Sequence, residues 1–402
     1  KILLRLLLLF LLLLLVAGIA LSLPAVQTRI AKELMTKINT SYGTSIEIDE
    51  VAISVFGGVK LKKVLIKDHH KDTLIYANRI KTNLIGIKKV IDGDLIFNSI
   101  HLDGLLFHLK TYKKEKLTNL DVFIEAFETG KPSTKPFLMT VREAFISNGH
   151  FLLIDENRRD PKDVDFTRLN AQISNFQILG PEVETNINQL SFKDHRGVFL
   201  KKLTAKFSYN KKRIRLKNLE LATSESKLKG DVQLNYKIED FADFNNKVKF
   251  DIKLKSSVIA SNDIRCFYDE LGKNLFFNAR SRIEGTLNNL KLTDLVLFDR
   301  KGSKIIGSIN FKNLFPSKSQ EFYMNGKFRS LTTTYDHLVA ILPNVLGESL
   351  PEILKKIGKV DLVGSTELTT KNIQADFSMK TDIGNVTSDL VILNMNQVNK
   401  AK

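Results

Sequence analysis

The sequence predicts a mainly β fold: an N-terminal transmembrane helix, then an elongated, curled antiparallel β-sheet with a few short capping helices. Three observations predict it. A long apolar run opens the chain. Near Ile46 the hydrophobic period changes from 3.6 to 2 and keeps that value. A short phrase centred on glycine then returns at the spacing of a hairpin.

Leu6 to Leu21 holds no polar side chain, and Ile2 to Leu23 is broken only by Arg5 and Ser22. As a helix this run reaches ~33 Å, enough to cross a ~30 Å hydrocarbon layer. A cleaved signal peptide has a shorter apolar core of about 7–15 residues. Residues 1–23 are therefore read as an uncleaved single-pass anchor, with Leu6, Phe10, Leu15, Val16, Ile19 and Leu23 in the membrane. Lys1 and Arg5 favour a cytoplasmic N-terminus.

Pro24 then starts an amphipathic helix over 24–42. Val26, Ile30, Leu34 and Ile38 recur every four residues, and this stripe is expected to cap the first strands. Residues 43–115 read as a first β segment and 116–130 as a helical insertion carrying Leu120, Phe123, Ile124 and Phe127. Strand repeats fill 131–330, with one short helical stretch at Asp263 to Leu271. A helical plug over 331–358, divided by Pro343 and Pro351, precedes further strand repeats over 359–402.

Lys247-Val-Lys-Phe-Asp-Ile-Lys-Leu-Lys255 shows the alternation most clearly: its apolar residues face one way and its charges the other. Leu203/Ala205/Phe207/Tyr209, Phe277/Ala279/Ser281/Ile283 and Ile373/Ala375/Phe377/Met379 repeat it. The glycine phrase occurs around Gly230, Gly285, Gly307, Gly326 and Gly364. Glycine on the inward row of successive hairpins marks bends or close approaches, which would curl the sheet.

A one-sided sheet must hide its apolar face, as a sandwich, a barrel or a trough. A trough can hide it with an apolar ligand. Exposing a ~16-carbon acyl chain to water costs on the order of 12 kcal/mol, and a continuous groove removes most of that cost. The residues expected to line it are Val248, Phe250, Ile252, Leu254, Phe277, Ile283, Ile305, Ile309, Phe322, Phe328, Phe377 and Met379.

Composition excludes other classes. Apolar residues and 26 Phe spread along all 402 residues exclude wholesale disorder, and the single Cys266 excludes a disulfide scaffold. The net charge of +17 raises nucleic acid as a partner, but the lysines alternate with apolar residues across many strands instead of forming one basic patch. They read as a wet strand face, with no nucleic-acid role. Asp68-His69-His70-Lys71-Asp72 reads as a turn rather than a metal cluster, because adjacent histidines on a strand point oppositely. His101 and His108 lack a second pair of ligands, and Asp155-Glu156 runs into a solvated loop. No phosphate loop, Gly-x-Ser-x-Gly or Cys–His pair is present, so the chain is read as a non-enzyme with no cofactor or metal.

Several phrases resemble the N-terminal part of a TamB-type member of the AsmA-like superfamily, of Gram-negative, Bacteroidota character. They are the apolar helix followed by the amphipathic one, then Gly43-Thr-Ser-Ile-Glu-Ile-Asp-Glu-Val51-Ala-Ile-Ser-Val-Phe-Gly57 and Val59-Lys-Leu-Lys-Lys-Val-Leu-Ile-Lys-Asp68. Leu74-Ile-Tyr-Ala-Asn-Arg-Ile80, Ile100-His-Leu-Asp-Gly104, Ala144-Phe-Ile-Ser-Asn-Gly149 and Ile357-Gly-Lys-Val-Asp-Leu-Val-Gly364 continue it. The first 105 residues carry most of the resemblance. It implies an inner-membrane anchor and a periplasmic β-taco groove carrying phospholipid towards the outer membrane, in support of outer-membrane biogenesis. It implies as an alternative a translocation and assembly module working with an Omp85-class outer-membrane protein or lipoprotein partner. The family's C-terminal domain, which docks on that partner, has no counterpart here. With Lys1 in place of a starting Met, the chain reads as an N-terminal portion of a longer one.

Overall fold

The computed structural model describes residues 23–54, 58–84, 95–126, 136, 138–158, 162–315, 320–341, 343 and 352–393. The expected anchor residues Leu6, Phe10, Leu15, Val16 and Ile19 lie outside that set; Leu23 is its first member and is half-exposed. No helix among the described residues is long and apolar enough to cross a membrane. The chain divides into two compact units, Lys1–Phe199 and Leu200–Lys402, and both are mainly β.

The first unit starts with helix α1 (Pro24–Tyr42), closed by Gly43 in the left-handed conformation. Strands β1 (Ser45–Ile53), β2 (Gly58–Lys67), β3 (Thr73–Leu84) and β4 (Leu95–Thr111) follow as an antiparallel meander. Helix α2 (Asn119–Glu125) comes next, started by a capping box between Thr118 and Asp121. Strands β5 (Leu138–Asp155), β6 (Lys162–Leu179) and β7 (Glu182–Asp194) complete the unit.

One pairing departs from the antiparallel expectation. β5 lies parallel to β4, with Leu102 opposite Ile146 and Phe107 opposite Phe151. Parallel neighbours need a crossover rather than a turn, and the connection carrying α2 supplies it. Alternation along a strand is the same for either direction, so only the length of that connection carried the signal. Phe107, Phe151, Phe166 and Phe192 then form a ring ladder across β4 to β7, with centroids 5.6, 6.2 and 3.8 Å apart.

Helix α1 meets β1 differently from the apolar cap that its stripe suggests. Val26 and Ile38 of the stripe are part-buried, Ile30 and Leu34 are half-exposed, and polar side chains make the specific contacts to β1. Gln27 donates from Nε2 to the Ile53 carbonyl at 3.0 Å and accepts from the Ile53 N–H at 2.6 Å. Thr28 does the same at Val51, and Asn39 at Ile46. A strand edge exposes N–H and C=O groups, and a side-chain amide matches both at once. Thr28 and Asn39 are 11 residues apart, about three helical turns, which puts them on one face.

The second unit holds β8 (Phe199–Asn210), β9 (Arg213–Ala222), β10 (Lys227–Asn235), β11 (Lys249–Ala260), β12 (Phe276–Gly285) and β13 (Leu290–Asp299). It continues with β14 (Lys304–Lys312), β15 (Tyr323–Thr334), β16 (Lys359–Thr369), β17 (Ile373–Thr381) and β18 (Gly384–Ile392). Each strand pairs antiparallel with the next. Among the described residues no pairing joins β8 to β18, so the ladder is not closed.

Among the described residues its helical pieces start or stop at other positions than the sequence suggests. Helix α3 (Phe244–Lys247) is a single turn, and α4 (Ser261–Arg265) covers only the start of the stretch expected to reach Leu271. β15 runs on to Thr334, so the helical stretch expected from 331 begins with α5 (Tyr335–Ile341). A 3-10 turn at Glu352–Ile357 follows, while Leu346 and Leu350 lie outside the described residues.

Candidate functional site: the apolar face of the second unit

Directly opposed residues in an antiparallel ladder share a face. Following the register strand by strand therefore traces rows across the unit. One row begins Phe207, Leu216, Val232, Ile252 and Ile283. It continues through Leu292, Ile309, Gly326, Thr366, Ala375 and Leu390. It crosses all eleven strands of the unit without a charged side chain. At ~4.8 Å per strand, the row measures roughly 48 Å.

The row one residue along is its opposite. It reads Ser208, Arg215, Gln233, Asp251, Glu284 and Lys291. Asn310, Asn325, Glu367 and Gln374 continue it, and only Val391 at the end breaks its polarity. Charges pair along this outer face. Arg282 donates to Glu284 at 2.9 Å and lies 3.4 Å from Asp251, and these two carboxylates raise its hold on its proton.

The residues expected to line a groove can now be placed. Ile252, Ile283 and Ile309 sit in the traced row. Phe250 and Leu254 lie two positions to either side of Ile252 on the same face, and Phe277 joins them opposite Ile259. Ile305 lies opposite Leu331, and Leu331 and Met379 both oppose residue Leu362. Phe328 and Phe377 flank Gly364. Two positions differ from the reading. Val248 is fully buried but precedes β11, because the turn of α3 takes up Lys247. Phe322 precedes β15 and packs with its ring centroid 6.2 Å from that of Phe311.

The centre of this face is packed. Leu295, Ile309 and Phe328 are buried against one another, with Leu292, Leu297, Ile305, Phe311, Met324, Leu331 and Leu362 around them. The leucines of β13 were missed in the sequence because their alternation is interrupted. Asp294 takes a φ of 49°, and the register shifts between Leu292 and Leu295. This bulge returns Leu295 to the face of Leu292 despite the odd spacing.

The glycine phrase has a packing cause here. Gly307 and Gly364 lie on either side of Phe328 in the neighbouring strands. A Cβ on Gly326 would overlap the Phe328 ring, and one on Gly307 would overlap the Lys327 carbonyl oxygen. Glycine thus makes room for one ring against three strands.

Towards the end of the unit the cover stops. Val386 and Leu390 on β18 are 45% and 38% exposed, and Leu393 just beyond is similar. Phe377 and Met379 on β17 are only half-buried. The face is therefore continuous in register but filled at its centre and open at one end. The traced row carries no charged side chain and can act by burial alone.

Comparison with protein-family models, with curated proteins and with solved structures found no match.

Proposed function

We propose that this chain is a membrane-anchored lipid conduit of the TamB-like, AsmA-like type, single-pass in an inner membrane with its β body in the periplasm. On this reading it carries phospholipid acyl chains along a β-taco groove towards the outer membrane. The uncharged row from Phe207 to Leu390 carries the proposal. Where side chains leave it open, the row offers an acyl chain an apolar wall, and burial needs no fixed partner atom. The exposed wall at β17 and β18 offers an acyl chain apolar surface that side chains do not already cover. The packed cluster around Phe328 is where lipid and side chains compete for the same space.

The experiment is photo-crosslinking in cells, followed by mass spectrometry of the adducts. A photoreactive residue at Phe377 or Leu390 should capture phospholipid. One at Lys380 or Asp389, whose register places it on the other face, should not. Equal capture from both faces would sink the conduit. The outer edge of β18, whose register among the described residues is with β17, supports a second reading. That reading is an assembly scaffold, working with an Omp85-class partner, that offers its edge to client strands. It predicts nascent outer-membrane protein in the adducts instead of lipid.

A further inference from the structure

The turn between β2 and β3 brings together three side chains that the apolar face does not use. His69 Nε2 lies 2.9 Å from one carboxylate oxygen of Glu115, and His70 Nε2 lies 2.7 Å from the other. One ligand atom from each residue fits within 4.8 Å of the others. The two histidines stand on a turn, so the divergence of neighbours on a strand does not apply to them. Glu115 comes from the turn after β4, 45 residues on, and nothing in the local sequence announces it.

We propose that His69, His70 and Glu115 form a site for a divalent transition ion of the zinc class. Two imidazole nitrogens and a carboxylate suit zinc, whereas magnesium and calcium take oxygen donors. Three protein ligands leave one tetrahedral position for water or a fourth donor. With zinc–ligand bonds of ~2.0–2.1 Å, tetrahedral donors stand roughly 3.3 Å apart. Each present His–Glu contact is about half an ångström shorter than that donor spacing.

The support behind these residues distinguishes the site from a casual surface ion pair. Asp68 is buried, and its Oδ1 accepts from the N–H groups of His70 and Asp72, which fixes the turn. Its Oδ2 accepts from the Tyr112 hydroxyl at 2.8 Å and from the fully buried Asn119 amide at 3.0 Å. The Tyr112 ring packs against His70 with centroids 3.9 Å apart. On the other side, the Glu115 N–H donates to the Tyr112 carbonyl, and Asn157 donates to the Glu115 carbonyl. Backbone and rings are thus held in place before any ion arrives, the condition for a preorganised site. A bound ion would clamp the β2–β3 turn to the turn after β4.

The test is zinc titration of the full chain in detergent, purified without a histidine tag and stripped with chelator, against a competing fluorescent zinc probe. The expected result is one zinc per chain in the low micromolar range or tighter, with magnesium unable to compete. His69→Ala, His70→Ala and Glu115→Gln should each weaken it about tenfold or more. His150→Ala, beside the separate His150–Asp165 pair, should leave it unchanged. Circular dichroism of each variant separates lost ligands from lost fold. X-ray absorption at the zinc edge should show imidazole and oxygen donors. No saturable binding, equal binding in the ligand variants, or loss in His150→Ala would each overturn the site.

Discussion

Strands β13 to β15 and strands β17 to β18 stand in the same register rows, yet they end in different states. At Phe328 a ring sits between glycines and is 6% exposed; at Val386, on an equivalent face, the side chain is 45% exposed. Apolar sequence does not decide burial by itself. The bulge at Asp294 and the glycines at 307, 326 and 364 let three strands wrap one ring. β17 and β18 pair over nine consecutive positions with no register shift. The filled core lies where bulges and glycines interrupt the ladder, and the open wall where the pairing is regular.

The comparison breaks first at Phe328. Phe328→Ala should cost about 3–5 kcal/mol, since it empties the centre of the packed cluster. Hydrogen exchange should then rise across β14, β15 and β16 while the β1 to β4 strands keep their protection. Gly307→Ala tests the bend itself. Its Cβ meets the Lys327 backbone rather than a movable side chain, so about 1–3 kcal/mol of overpacking is expected. Denaturant titration of the two variants should rank them in that order.

A buried polar group offers a control from the first unit. Asn119→Ala strips Asp68 Oδ2 of one donor and leaves the Lys110 N–H without its acceptor, at about 1–3 kcal/mol. The same corner should respond to acid. Hydrogen bonds from Lys110 and Tyr112 hold the Asp72 carboxyl below its usual 3.8. The folded state therefore binds this proton less readily than the unfolded one. The stabilisation is complete at neutral pH and is lost as pH falls through and below the ordinary carboxylate range. A pH series of melting temperatures should show it, and Asp72→Asn should flatten it. Smallest of all should be Leu390→Ala on the open wall, within about 0.5 kcal/mol by the same denaturant titration. A large loss there would mean that β18 has a cover in solution.

Much of this was legible in the sequence, and the exceptions have physical reasons. Period-2 runs such as Phe277 to Ile283 and Ile373 to Met379 gave away strands, because each residue's side is fixed by the pleat. The parallel step from β4 to β5 was hidden, since alternation carries no direction. Leu295 was hidden by a bulge that breaks the count of two. The cluster of His69, His70 and Glu115 was hidden by distance along the chain. Gln27, Thr28 and Asn39 were hidden because polar side chains on a helix carry no burial signal, even with Thr28 and Asn39 three turns apart.

Those three side chains have one more consequence. By answering the outward backbone groups of Ile53, Val51 and Ile46, they give the first unit a dead end. No neighbouring molecule can zip onto β1 without first prising α1 away, so stacking of copies through that side is blocked. The β1 edge of the first unit is thereby sealed by the chain's own side chains.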